Sequence, residues 1–169
     1  MKTKMKMKTQ TQNKVFEFDL IFTRPSDMDD LGLSDALFEA GLDDGVIGLG
    51  EAGLFAVSLE RSGEEAEAVI EVAIRQIVKA VPNAILREVK PDLASQAEIA
   101  GRLGVTRQAL QKRKMPAPSL GGLYRVKEVE SALGASSGKI AERLAAAEPW
   151  FRAAEGAQRL NAKLALEES

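Results

Sequence analysis

The chain has no cysteine and no histidine, and only one tryptophan and one tyrosine among its 169 residues. Without cysteine there is no disulfide framework and no thiol nucleophile, and without histidine there is no serine–histidine triad. Lacking both, the chain has no ligands for a zinc finger. No run of eighteen apolar residues is long enough to cross a bilayer as a helix. The first fourteen residues, MKTKMKMKTQTQNK, are basic and polar and have no apolar stretch of the kind a secretory signal needs. Together these absences predict a soluble, cytoplasmic protein that makes no membrane contact, with residues 1–13 as a disordered basic tail.

What is present is unevenly distributed. Net charge is only −2 overall, yet Val15 to Asp92 holds 17 acidic and 6 basic residues, a net of −11. From Ser95 to Lys127 the balance reverses to +6, with Arg102, Arg107, Lys112, Arg113, Lys114, Arg125 and Lys127 against Glu98 alone. A chain of this length and 45% hydrophobic content can bury one good core or two small ones.

Residues 14–90 read as an acidic α+β domain. Phe16, Phe18, Leu20 and Phe22 alternate with Glu17 and Asp19, the period of a half-buried strand. Asp27 to Ala40 reads as a helix stopped by Gly41, and Val46–Leu49 and Leu54–Leu59 read as strands. Ser62-Gly63-Glu64-Glu65 has the spacing of a capping box. It precedes an apolar stripe of Ala66, Val69, Ile70, Ala73, Ile74, Ile77 and Val78. Pro82 closes that helix, and Ala84 to Val89 supplies a last strand. The order βαββαβ predicts a ferredoxin-like fold. Its charge argues against RNA binding and for a dimerisation or partner-docking role, with Asp27, Asp29, Asp30, Asp43 and Asp44 as solvated and helix-start charges rather than metal ligands.

Residues 91–134 carry the most specific pattern, Ile-Ala-Gly-Arg-Leu-Gly-Val-Thr-Arg-Gln-Ala-Leu at 99–110. Ser95 and Glu98 form a capping box for a first helix. Small Ala100 permits a close crossing, Gly104 supplies the positive φ of a tight turn, and Thr106 caps a second helix. Ile99, Leu103, Val105 and Leu110 hold the pair together. Arg107, Gln108, Gln111 and Lys112 then remain as long hydrogen-bonding side chains. Gln pairs bidentately with adenine and Arg with guanine in a major groove, whereas Lys suits phosphates. Met115-Pro116-Ala117-Pro118 ends the helix. Gly121-Gly122 predicts a turn into a short strand, and Val126, Val129 and Leu133 predict a third helix. This order, helix, turn, helix, hairpin and helix, is that of a winged helix-turn-helix. The ordinary reading of the same residues is an amphipathic helical hairpin with a solvated face.

The run AEIAGRLGVTRQALQKR followed by MPAPSLGGLYRVKEVESAL resembles the small bacterial and phage DNA-binding domains of the excisionase and MerR type. The resemblance covers about forty residues and is more specific in its first half. It implies that Thr106, Arg107, Gln108, Gln111 and Lys112 face the groove, and that Arg113 and Lys114 lie near phosphates. Tyr124 and Arg125 fall where the family has an aromatic followed by Arg at the exit of its wing.

Residues 135–169 read as C-terminal helices for packing or dimerisation. Ile140, Leu144 and Ala147 form one stripe. Pro149 suits a helix start, and Ala153, Ala157, Leu160 and Leu164 recur as a packing seam beside Trp150 and Phe151. Neither of two phosphate-loop look-alikes meets its physical requirements. Gly48–Gly53 fits G-x-G-x-x-G but opens no helix, and Gly134–Ile140 is one residue short and lacks the hydroxyl after Lys139.

The sequence therefore predicts a DNA-binding transcriptional regulator of repressor or antitoxin type, nucleoid-associated and homodimeric, acting on double-stranded DNA without cofactor, metal or enzymatic activity. Its acidic domain is left for dimerisation or a protein partner. A protein-interaction adaptor and an excisionase-like architectural factor are the alternatives.

Overall fold

The computed structural model describes residues 13–49 and 53–167. The basic tail, except for Asn13, and the centre of the 48–53 glycine motif lie outside them. The described residues form a mixed α+β structure with a four-stranded antiparallel sheet and seven α-helices.

The sheet unit is built from β1 (Lys14–Thr23), α1 (Asp30–Glu39), β2 (Val46–Gly48), β3 (Leu54–Gly63), α2 (Ala66–Ala80) and β4 (Leu86–Lys90). The strands lie in the order β2-β3-β1-β4, and every neighbouring pair is antiparallel. Alternation in β1 is strict: Phe16, Phe18, Leu20 and Phe22 are buried, while Glu17, Asp19 and Ile21 are half-exposed on the opposite face. The register sets Phe18 opposite Leu59, Leu20 opposite Val57 and Phe22 opposite Phe55, so buried side chains meet in rows. The Phe22 and Phe55 rings stack with centroids 5.4 Å apart. Leu33 and Leu37 of α1 and Ile70, Ala73 and Ile77 of α2 complete this first core. Asp29 caps α1 by accepting from the Gly32 N–H at 2.8 Å, and the chain leaves the helix through Gly41 at a φ of +87°.

The expected capping box at Ser62–Glu65 does not form. β3 runs on to Gly63, pairing Ser62 with Val15 and Gly63 with Lys14, and α2 begins only after Glu65, which makes no side-chain cap bond. The ladder holds this backbone in strand geometry where the box needs a helix start. Gly63 also lets Val69 close over it, since a Cβ there would collide with Val69 Cγ2.

The second unit contains β5 (Leu93–Ala94), α3 (Gln96–Leu103), α4 (Arg107–Gln111), a 3-10 turn at Leu120–Gly122, β6 (Tyr124–Arg125), α5 (Val126–Leu133) and α6 (Lys139–Ala146). The expected hairpin after α4 is replaced by another pairing. β6 joins β5, upstream of α3, with Leu93 opposite Arg125 and Ala94 opposite Tyr124. Pro116 and Pro118 have no N–H for a ladder, and the chain crosses Gly121 and Gly122 at φ values of +62° and +74°.

The last helix, α7 (Glu148–Glu167), belongs to both units. Trp150, Phe151 and Ala154 pack in a second core with Ala94, Ile99, Ala100, Leu103, Leu110, Val126, Val129 and Leu133. On an adjoining face of the same helix, Ala153, Ala157 and Leu160 pack in the first core. Most of the expected seam is thus covered within the chain itself. Close approach to α2 depends on Gly156, where a Cβ would lie 2.7 Å from both Ala66 Cβ and the Glu67 nitrogen.

α7 also closes one edge of the sheet. Asn161 accepts from the Val89 N–H at 2.8 Å and donates to the Val89 carbonyl at 2.8 Å, pairing with β4 as another strand would. It donates as well to Asp92 Oδ2 at 3.0 Å.

Candidate nucleic-acid interface

The α3–α4 pair is fixed at each joint by the expected local chemistry. Ser95 Oγ accepts from the Glu98 N–H at 3.1 Å, and the Glu98 carboxylate accepts from the Ser95 N–H at 3.3 Å. Gly104 takes the left-handed conformation, φ +65° and ψ +34°. Thr106 Oγ1 accepts from the Ala109 N–H at 3.1 Å, so its hydroxyl is engaged as a cap. Ile99, Leu103 and Leu110 are at most 1% exposed and press the helices together.

With Leu110 turned inward, Arg107, Gln108 and Gln111 stand exposed on α4. The helix has only five residues and Lys112 is its C-cap. Exposed Lys112, Arg113 and Lys114 therefore follow the helix rather than lie along it, close to the C-terminal end of a dipole that favours cations. Seven of the eight residues expected at the interface, Thr106, Arg107, Gln108, Gln111, Lys112, Arg113 and Lys114, are exposed within this one segment, around the buried Leu110.

Arg125 is placed differently. Its Nη1 donates to Asp92 Oδ1 at 2.8 Å, and the Asp92 side chain is only 8% exposed. Asp92 accepts from both Arg125 and Asn161, joining β6 to the sheet edge and α7. Arg102, also counted in the basic segment, is paired with Glu17 on β1 and lies 5.3 Å from the Trp150 ring centroid. Two of the seven positive charges thus hold the units together.

The contrast in pairing is the main electrostatic feature. Arg24, Arg61, Arg102, Arg125, Arg152 and Arg159 each pair with a carboxylate. Among the described residues, Arg107, Lys112, Arg113 and Lys114 have no carboxylate partner; Arg75 and Arg143 also lack one, but these four stand together in one exposed segment. An exposed cluster of uncompensated cations is repulsive in the free protein and attracts a polyanion. No group of carboxylates suited to a metal ion occurs among the described residues, and no described helix is long and apolar enough to cross a membrane.

Sequence reasoning missed Gln96, Asp92 and Asn161. Gln111 Nε2 donates to Gln96 Oε1 at 3.1 Å, linking α4 to the first turn of α3. Gln96 directly follows the cap Ser95, and its spacing from Gln111 becomes meaningful only once the turn has folded the helices together. Asp92 and Asn161 are far apart in sequence and carry no motif.

No protein-family model, curated protein or solved structure matches the chain.

Proposed function

We propose that the chain is a sequence-specific regulator that binds double-stranded DNA through α3 and α4, α4 entering the major groove. The observation that carries this reading is the clustering of four exposed, unpaired cations, Arg107, Lys112, Arg113 and Lys114, within eight residues on and just after the second helix of a capped pair. Arg107, Gln108 and Gln111 supply the groups that read base edges, and Lys112, Arg113 and Lys114 those that meet phosphates. Residues 14–90 are read as a ferredoxin-like module, a view supported by the β2-β3-β1-β4 antiparallel order. The net charge of −11 over residues 15–92 directs it away from DNA, leaving it for dimerisation or a protein partner. A dimer doubles a site that one short helix reads over few base pairs.

The test is selection from pooled random duplexes by the full chain at two salt concentrations, followed by sequencing of the retained DNA. The expected result is an enriched inverted repeat with half-sites about 10 bp apart. Retention without a motif, lost steeply as salt rises, would instead describe an architectural binder. No retention at either salt would overturn DNA binding and leave an adaptor with the acidic unit as its working surface.

A further inference from the structure

The hydrogen bond between Gln111 and Gln96 has a chemical consequence for the base that α4 reads. A primary amide offers two N–H donors and one carbonyl oxygen. Gln111 gives one N–H to Gln96 Oε1 and so retains one donor and its carbonyl for a ligand. In the major groove adenine presents one acceptor, N7, beside one donor, the N6 amino group. Guanine presents two acceptors in that place, thymine one acceptor and a methyl group, and cytosine a donor. With the N–H trans to the carbonyl given to Gln96, the remaining edge of Gln111 matches adenine.

We propose that Gln96 is a specificity-determining positioning residue, which holds the Gln111 amide in the orientation that reads an adenine. The proposal rests on the DNA-binding reading of α4 given above. Glutamine is among the side chains that lose most rotamer freedom when fixed, and an untethered Gln111 on a five-residue helix meets that cost at the moment of binding. The tether meets it beforehand. Gln96 has a second use: with its oxygen engaged, its own amino group has no acceptor among the described residues and suits a phosphate oxygen of the strand that α3 approaches. One side chain then couples backbone position to base identity.

Selection from random duplexes by the full chain, compared among Gln111→Met, Gln96→Met, Gln96→Glu and the double methionine variant, tests this. Met keeps the length of glutamine and removes the amide. Each side chain is at least partly exposed, and thermal melts matching the parent protein confirm folding. Gln111→Met is expected to lose adenine discrimination at one position by roughly 5- to 100-fold. Gln96→Met should flatten that same position and no other, with no further loss in the double variant. Gln96→Glu keeps an acceptor for Gln111 but sets a negative charge toward phosphate, so adenine preference should persist while affinity falls on every sequence alike. If Gln96→Met leaves the adenine preference intact, or weakens all positions equally, the positioning role is overturned while DNA reading stands. If the parent protein enriches no motif, both fall.

Discussion

Replacing Asn161 with alanine isolates the contact that joins the sheet edge to the last helix. The substitution removes three hydrogen bonds, two with the Val89 backbone at 2.8 Å and one with Asp92 at 3.0 Å. It leaves three groups without their partner: an N–H and a carbonyl on β4, and one oxygen of a carboxylate that is 8% exposed. Each orphaned buried group costs about 1–3 kcal/mol. Asn161 itself is half-buried, so water reaches the vacated site and the low end applies, about 3 kcal/mol in all. Against a typical total of about 5–15 kcal/mol this is a large fraction. For a chain of this size it corresponds to a fall in Tm of about 6–12 °C.

The assay is urea and thermal unfolding followed by two probes. Far-UV circular dichroism reports the helices and sheet, and the fluorescence of Trp150, the sole tryptophan, reports the second core. Because α7 supplies residues to both cores, loss at Asn161 should move both transitions together. Asn161→Asp should cost at least as much, since it keeps an acceptor for Val89 but loses both donors and faces Asp92 with a like charge. A Tm change below about 2 °C for Asn161→Ala would refute the count of orphaned groups. Movement of the dichroism transition without the fluorescence transition would refute the coupling.

Three further outcomes follow from other parts of the structure. Gly156→Ala should destabilise by about 1–3 kcal/mol in equilibrium denaturation, because its Cβ would lie 2.7 Å from α2 backbone that has no room to yield. Glu130→Gln should raise Tm at neutral pH and converge with the parent protein as pH falls below the ordinary carboxyl value of 4.5: burial, and then the charge of Glu148, push the Glu130 carboxyl up, partly opposed by Arg152. The folded state therefore holds that proton more tightly than the unfolded state, and stability is lost as pH rises through the raised value. Replacing Lys112, Arg113 and Lys114 with alanine should reduce the slope of log affinity against log salt by about 0.9 for each phosphate that is no longer neutralised, and an unchanged slope in filter-binding titrations would place these cations away from the DNA.

Local rules were the legible part of the sequence. The period of two in β1, the Ser95–Glu98 box, the left-handed Gly104 and the Thr106 cap each depend on residues a few positions apart, and each forms as the residues imply. Ser62–Glu65 has the same local spacing and fails because strand pairing with Val15 and Lys14, far away in sequence, takes that backbone first. Tyr124–Arg125 is a strand as expected, but its partner lies before α3 rather than in an adjacent hairpin. The candidate site divides the same way. Arg107, Gln108 and Gln111 are exposed because a buried Leu110 in a capped helix turns them outward, and Lys112 to Lys114 because the chain leaves the helix there. Arg125 is drawn to Asp92, whose low exposure only the assembled units create. The Gln96–Gln111 bond likewise needs both helices in place before it exists.

The shared helix also determines what can fold alone. Residues 91–134, which hold the whole helix-turn-helix pattern, do not contain their own core: Trp150, Phe151 and Ala154 of α7 fill it beside Ile99, Leu103, Leu110, Val126 and Val129. Trp150 is 6% exposed and Phe151 1%, with the two rings edge to face at 5.0 Å. Loss of even one buried aromatic costs about 3–5 kcal/mol, and a unit this small has little stability to lose. A fragment of residues 91–134 should therefore show no cooperative thermal transition and no DNA retention under conditions in which the full chain binds. Adding residues 135–167 restores Trp150 and Phe151 but leaves Ala153, Ala157 and Leu160 without the sheet they pack on. That longer fragment should regain a transition at lower temperature and expose apolar surface, measurable as dye binding or self-association. A sharp melt from residues 91–134 alone would show that α7 merely rests against a self-sufficient unit, and the continuity between the two cores would then carry no energetic weight.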